Sequence, residues 1–235
     1  MKVLIACEFS GVVRESFRAR GHDAWSCDLR DAEDNSIYHI KDDVLNIIYG
    51  IGSGTYNGVE FHDLSRFEKE EVNQGIIEED VQAWDLMIAH PPCTRLTNAG
   101  VRWLKVAPRG RSLEDLWQEL REAATFYKAL RDAPIEKKAI ENPVMHKYAR
   151  ELIGPMTRQI VQPWWFGEPE FKATGFELYN LPQLVPTNKL TPPKSGTVEH
   201  RAWSKVHMMS PGADREKNRS RTLKGVAEAM SSQWG

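Results

Sequence analysis

The residues best placed to do covalent chemistry stand together in Ala89-His90-Pro91-Pro92-Cys93-Thr94. A short apolar run, Trp84 to Ala89, precedes them and reads as a buried strand. The two prolines fix the backbone where it leaves the sheet, and neither can donate a hydrogen bond. Cys93 follows at once. Ligands of open α/β sheets bind at the carboxyl ends of the strands, so a stiff loop there that presents one thiol suits a positioned nucleophile. A proline-rich turn with an incidental small buried cysteine fits the loop equally well, and the rest of the chain must decide.

Three other strand ends carry polar groups. Val3 to Cys7 reads as a strand ending in Glu8-Phe9-Ser10-Gly11, followed by a helix from Gly11 to Arg20 with Val12, Val13 and Phe17 as its apolar stripe. Ala24 to Asp28 is a second strand that ends in an acid. Lys138 to Ile140 is another, ending in Glu141-Asn142-Pro143. Ile37 to Ile40, Gln159 to Val161 and Phe176 to Tyr179 are weaker strand patterns, and Asp85 to Ala89 leads into the Cys93 loop. Ser112 to Leu130 is the clearest helix, with Ser112 as N-cap, Asp115 three residues later, and Leu113, Leu116, Leu120, Ala123, Ala124, Tyr127 and Leu130 as its apolar face. Gly225 to Gln233 reads as a terminal helix. Strands alternating with helices predict a parallel-rich sheet covered on both faces. Parallel strands would bring Glu8 to Gly11, Asp28, Cys93 and Glu141 to one edge.

Bulk properties narrow the classes. A chain of 235 residues suits one α/β domain. A net charge of -2 argues against a uniformly basic coat but leaves room for a local basic face. The three cysteines, Cys7, Cys27 and Cys93, include no CxxC pair, and the seven histidines are scattered. That argues against a disulfide framework and against a metal site, and fits a cytoplasmic protein with reduced thiols. Cys7 and Cys27 read as packing residues. No signal peptide or membrane-length apolar run is read. The stretch 46–82 is acidic and opens with Gly50, Gly52, Gly54 and Gly58, which reads as an insertion. Pro182 to Lys224 is basic, with nine Lys or Arg against Glu199, Asp214 and Glu216. This is either a solvated face or a phosphate-backbone contact.

In order along nearly the whole chain, these motifs resemble the DNA (cytosine-5) methyltransferases. The resemblance implies a class I S-adenosylmethionine-dependent methyltransferase fold, a Rossmann-like α/β sheet with helices on both faces. It implies S-adenosylmethionine as cofactor, with Phe9, Ser10 and Gly11 in the cofactor loop, Asp28 at the ribose, Asp43 at the adenine and Pro91 beside them. Pro91-Pro92-Cys93 matches the nucleophile motif. Glu141-Asn142 matches the motif that holds the target base. Asp28 and Asp43 also fit ordinary turn or cap acids, Glu141 fits an ion pair, and Ser10-Gly11 fits a simple helix cap. The chain departs from the family at Val12-Val13, at Cys7 where an acid is common, and at Pro143 in place of a valine. In Gly167 to Thr174, Glu170, Lys172 and Thr174 replace a glutamine and two arginines, so Lys172 is the substitute for an arginine that touches the flipped base.

The expected organisation is a catalytic and cofactor-binding domain over 1–180, a short basic recognition segment over 181–219, and a terminal helix over 220–235. Lys205, Arg215, Arg219 and Arg221 would meet DNA. The short recognition segment and small size would suit a phage-type enzyme. Carbon 5 of cytosine is a poor nucleophile until a thiolate adds to carbon 6, and a paired base must be flipped out before that can happen. Other readings share parts of this pattern: the same chemistry on free nucleotides or RNA, transfer of a group other than methyl, or a DNA-binding protein without catalysis.

Overall fold

The computed structural model describes residues 1–50, 54–56, 59–61, 84–142, 144–210, 219 and 221–235. Short apolar runs bounded by turn-formers make nine strands: Lys2–Ala6 (β1), Asp23–Asp28 (β2), His39–Lys41 (β3), Gly54–Tyr56 (β4), Val59–Phe61 (β5), Leu86–Ala89 (β6), Lys137–Asn142 (β7), Arg158–Val161 (β8) and Thr174–Tyr179 (β9). Seven of them form one sheet in the order β3-β2-β1-β6-β7-β9-β8, while β4 and β5 pair separately. The first five sheet strands are mutually parallel, and β9 runs antiparallel to both β7 and β8. This is the α/β, Rossmann-like sheet of the class I kind that the resemblance implied.

The helices are Val12–Arg18 (α1), Val44–Tyr49 (α2), Asn98–Val101 (α3), Leu113–Asp132 (α4), Lys147–Ile153 (α5), Val198–Trp203 (α6), Lys205–Met208 (α7) and Lys224–Gln233 (α8). Because side chains alternate along a strand, each central strand feeds two apolar layers. Leu4, Met87, Ala89 and Ile140 pack against α2, α4 and α5 through Val44, Ile48, Leu116, Leu120 and Ile153. Val3, Ile5, Ile88 and Ala139 pack against α1 and α8 through Val13, Phe17, Val226 and Met230. Each fully buried Val, Leu, Ile, Phe or Met side chain among them contributes roughly 1.5–3 kcal/mol relative to exposure.

Local chemistry accounts for the element ends. Ser112 Oγ accepts from the Asp115 amide at 3.0 Å and Asp115 returns the bond to the Ser112 amide, the expected capping box of α4. Leu113, expected on the apolar face of α4, is instead exposed. Five short helices among the described residues, α2, α3, α5, α6 and α7, escaped the pattern reading. α2 crosses the start of the expected 46–82 insertion and carries Val44 and Ile48 into the core. It is capped by Asp43, which accepts from the Leu45 amide. α5 is capped by a histidine, His146, whose Nδ1 accepts from the Ala149 amide. Apart from α2, β4 and β5, the insertion lies outside the described residues.

The segment after β9 runs back along the sheet domain. The Asn188 and Leu190 amides donate to the Trp165 and Trp164 carbonyls, and the Phe171 amide donates to the Trp203 carbonyl. Leu184, Trp203 and Val206 are buried. The start of α8 sits on the loop before β9: the Gly225 amide donates to Glu168 Oε1 at 2.9 Å, and a Cβ at position 225 would run into the Phe166 carbonyl. Gly225→Ala is therefore expected to destabilise the fold by about 1–3 kcal/mol, the usual cost of forcing extra volume into a packed contact. Urea unfolding measures this, and an unchanged midpoint would mean that the loop moves aside freely.

Candidate active site

Backbone register sets the site. Ala6 pairs with Cys27 on one side and Ala89 on the other, and Ala89 pairs with Ile140. One residue further along each strand, Asp28, Cys7, His90 and Glu141 therefore lie in one row at the carboxyl edge of β2, β1, β6 and β7. The expected convergence of strand-end groups is present, and Cys93 stands three residues beyond His90.

At the β1 and β2 end, the acid that follows β1 turns back onto α1. Glu8 is buried, and its two carboxylate oxygens accept from the Val13 amide at 2.7 Å and the Arg14 amide at 3.1 Å. Burial pushes the Glu8 carboxyl up, while His90, the two amides and the Arg14 guanidinium pull it down. Ser10 Oγ donates to the same carboxylate at 3.3 Å. Gly11 has φ 71°, and a Cβ there would strike the Arg14 guanidinium and lie 2.8 Å from Asp34 Oδ2. Phe9 is buried beneath Arg30, and its carbonyl accepts from the Glu33 amide.

These bonds decide what kind of ligand suits this end. The N-terminal amides that would cradle a phosphate already hold Glu8. The remaining polar groups are acids: Asp28, whose Oδ1 accepts from the Arg30 amide, and Asp43, whose Oδ1 caps α2. Both are near enough to Cys7 to raise its thiol, after burial, which is the larger cause. Acidic groups with no free phosphate cradle among the described residues suit hydroxyl or amine donors better than a phosphate-bearing ligand.

At the β6 and β7 end, Pro91 is buried, Pro92 is exposed and Cys93 is partly exposed. The Cys93 carbonyl accepts from the Leu96 and Thr97 amides at 3.0 and 3.1 Å, which closes a tight turn. His146 locks that turn from behind. Its Nε2 donates to the Arg95 carbonyl at 2.8 Å, and its amide donates to the Leu96 carbonyl. Burial and the Glu141 carboxylate push the Cys93 thiol up, whereas Lys172 and Arg219 act to lower it. Burial pulls the Lys172 ammonium down, against the opposing influence of Glu141, Glu170 and Cys93. Lys172 Nζ also donates to the Arg221 carbonyl at 2.6 Å. A pocket opens beside these groups. Glu141, Lys172, Thr174 and Thr222 give it polar walls, and Pro163, Phe176, Leu223 and Val226 give it an apolar lining.

The sequence-predicted catalytic trio of Cys93, Glu141 and Lys172 is thus brought together. The expected DNA contacts separate. Lys205 is exposed on α7, whereas Arg219 lies near Cys93 and Lys172. Arg221 forms an ion pair with Glu33, so its guanidinium is held within the chain. Arg215 lies outside the described residues. His90, Thr222, Leu223 and Val226 of the site were not singled out from sequence. His90, 3.6 Å from Glu141, could have been found by counting one residue past the apolar run on each neighbouring strand. The contribution of Thr222, Leu223 and Val226 from the chain terminus had no sequence signal. Among the described residues, no group of three or more His, Cys, Asp or Glu could hold a metal ion, and no helix is long and apolar enough to cross a membrane.

Neither a protein-family profile nor a curated protein matches the sequence. Among solved structures, the chain is similar to one described as a candidate DNA modification methyltransferase encoded within a prophage (E. coli). The identity is 14% and the TM-score 0.43, over 80% of this chain and 51% of that one. The chain spans about half the length of that protein.

The charges around Cys93 have a measurable consequence. Because burial and Glu141 hold the thiol above its ordinary range, alkylation by iodoacetamide is expected to quicken only as pH rises past that range. Lys172→Met removes a cation that favours the thiolate and is expected to slow labelling further at neutral pH. Peptide mass spectrometry follows the labelled Cys93. Equal rates in both proteins would remove Lys172 from the surroundings of the thiol.

Proposed function

We propose that the chain transfers a methyl group from S-adenosylmethionine to carbon 5 of cytosine in DNA, through a covalent adduct on Cys93. The observation that carries this reading is the meeting of one loop thiol, one strand-end carboxylate and one cation at the mouth of a pocket walled by Glu141 and Lys172. Bound S-adenosylmethionine would supply an electrophilic methyl group.

The chain's own residues do the rest. Asp28 and Asp43 hold the adenosine hydroxyls and base edge, and the Glu8-filled end of α1 turns away phosphate-bearing cofactors. Cys93, held by its turn and by His146, adds through Sγ to carbon 6 of a flipped cytosine. Lys172 and Arg219 stabilise the thiolate form against burial and against Glu141. Glu141 meets the Watson–Crick edge of the base and donates to ring nitrogen 3 as electron density builds at carbon 5. Phe176, Leu223 and Val226 give the flipped ring an apolar wall to rest on.

Nucleoside mass spectrometry of DNA incubated with the protein and S-adenosylmethionine is the direct test, with 5-methylcytosine as the expected product. Cys93→Ser is expected to lose turnover while retaining the fold. Methylation at another atom of a base, or near-normal turnover in Cys93→Ser, would overturn the reading.

DNA would be held by exposed cations such as Lys205, not by Arg221, whose guanidinium is already paired with Glu33. Lys205→Ala is expected to weaken binding similarly on all sequences and to reduce the salt slope by about one, the change that follows when one phosphate is no longer neutralised. Fluorescence anisotropy at several salt concentrations measures both. A changed sequence preference with an unchanged slope would make Lys205 a base reader.

A further inference from the structure

His90 occupies an unusual place. Its side chain is 9% exposed, and neither ring nitrogen has a hydrogen-bond partner among the described residues. A buried imidazole without partners is costly to keep, which points to a role. Its Nδ1 lies 3.6 Å from Glu141 Oε2, just outside hydrogen-bond distance. On its other side is Glu8, whose carboxylate it influences directly. Arg14, behind Glu8, and Cys93, Lys172 and Arg219, around Glu141, are the other charged or titratable groups near this row. The position is rigid, because the His90 amide donates to the Ala6 carbonyl at 2.9 Å and Pro91 follows. Contacts of this kind are often long in the free enzyme and tighten when substrate binds.

Building on the cytosine-5 reading, we propose that His90 is a positioning residue that stores the proton Glu141 delivers to the base. As the Cys93 Sγ–carbon 6 bond forms, the carbon 5–carbon 6 π pair moves toward carbon 5. The Glu141 carboxylate takes the Nδ1 proton of His90, leaving a neutral imidazole, and passes that proton to ring nitrogen 3. The carbon 5 pair then takes the methyl group from the cofactor's sulfonium, which becomes a neutral thioether. Loss of the carbon 5 proton to water and expulsion of the Cys93 thiolate restore the ring double bond. The nitrogen 3 proton returns through Glu141 to His90. A carboxylate whose proton had to come from bulk water would be reloaded slowly in so enclosed a site.

His90→Asn keeps a hydrogen-bonding amide and removes the ability to carry the proton, and His90→Gln is a second variant of different reach. The rate of covalent adduct formation with DNA containing 5-fluorocytosine reads the addition step. In both variants it is expected to fall by about 10²-fold, with the affinities for DNA and S-adenosylmethionine preserved. An adduct rate like wild type in either folded variant would overturn the role of His90 and leave the cytosine-5 reading standing. Loss of cofactor or DNA affinity in step with the rate would overturn it in favour of a merely structural residue. Failure of wild type to form any adduct would instead overturn the cytosine-5 reading itself.

Discussion

Parallel backbone pairing of β2, β1, β6 and β7 is the constraint on which the site rests. Hydrogen bonds between strands leave no freedom of one residue, since a slip would turn every side chain to the opposite face. Val3, Ile5, Ile88 and Ala139 are all completely buried on one face, with Leu4, Met87, Ala89 and Ile140 on the other. That two-sided burial fixes the register, and the register carries Asp28, Cys7, His90 and Glu141 to one edge in one row. Chemistry at the edge therefore draws its precision from the apolar layers beneath it.

Just beyond that row, the chain spends its polar groups on rigidity. Glu8 closes the first turn of α1, Gly11 lets Arg14 and Asp34 approach the same turn, and His146 ties the Cys93 turn to α5. These bonds satisfy backbone groups that burial would otherwise leave unpaired. They also divide the edge by charge. The carboxylates Asp28 and Asp43 stand near Cys7 at the β1 and β2 end, and cations gather at the Cys93 end, where Lys172 and Arg219 offset the joint effect of burial and Glu141.

The last part of the chain completes the pocket from outside the sheet. Glu168 anchors the Gly225 amide, the Arg221 carbonyl receives Lys172, and Arg221 itself pairs with Glu33, 188 residues away in sequence. Through these contacts the start of α8 becomes a wall of the pocket, with Leu223 and Val226 facing Glu141 and Phe176. Arg221, one of the residues expected to meet DNA, also pairs with a carboxylate on the loop after β2.

By itself, the sequence determined the strands of the main sheet, the long helix with its capping box, and the stiff loop before Cys93. Those features are local: apolar runs, turn formers and caps act within a few residues of themselves. Tertiary structure alone decided the rest. α2 and α5 are too short to show a helical period and exist because the core buries Val44, Ile48 and Ile153. His90 gains its neighbours only when three strands are laid in register. Arg221 and Arg219, alike in sequence, part company because one meets Glu33 and the other turns toward the thiol. Side-chain partners from distant parts of the chain are set by packing, and no local pattern encodes them.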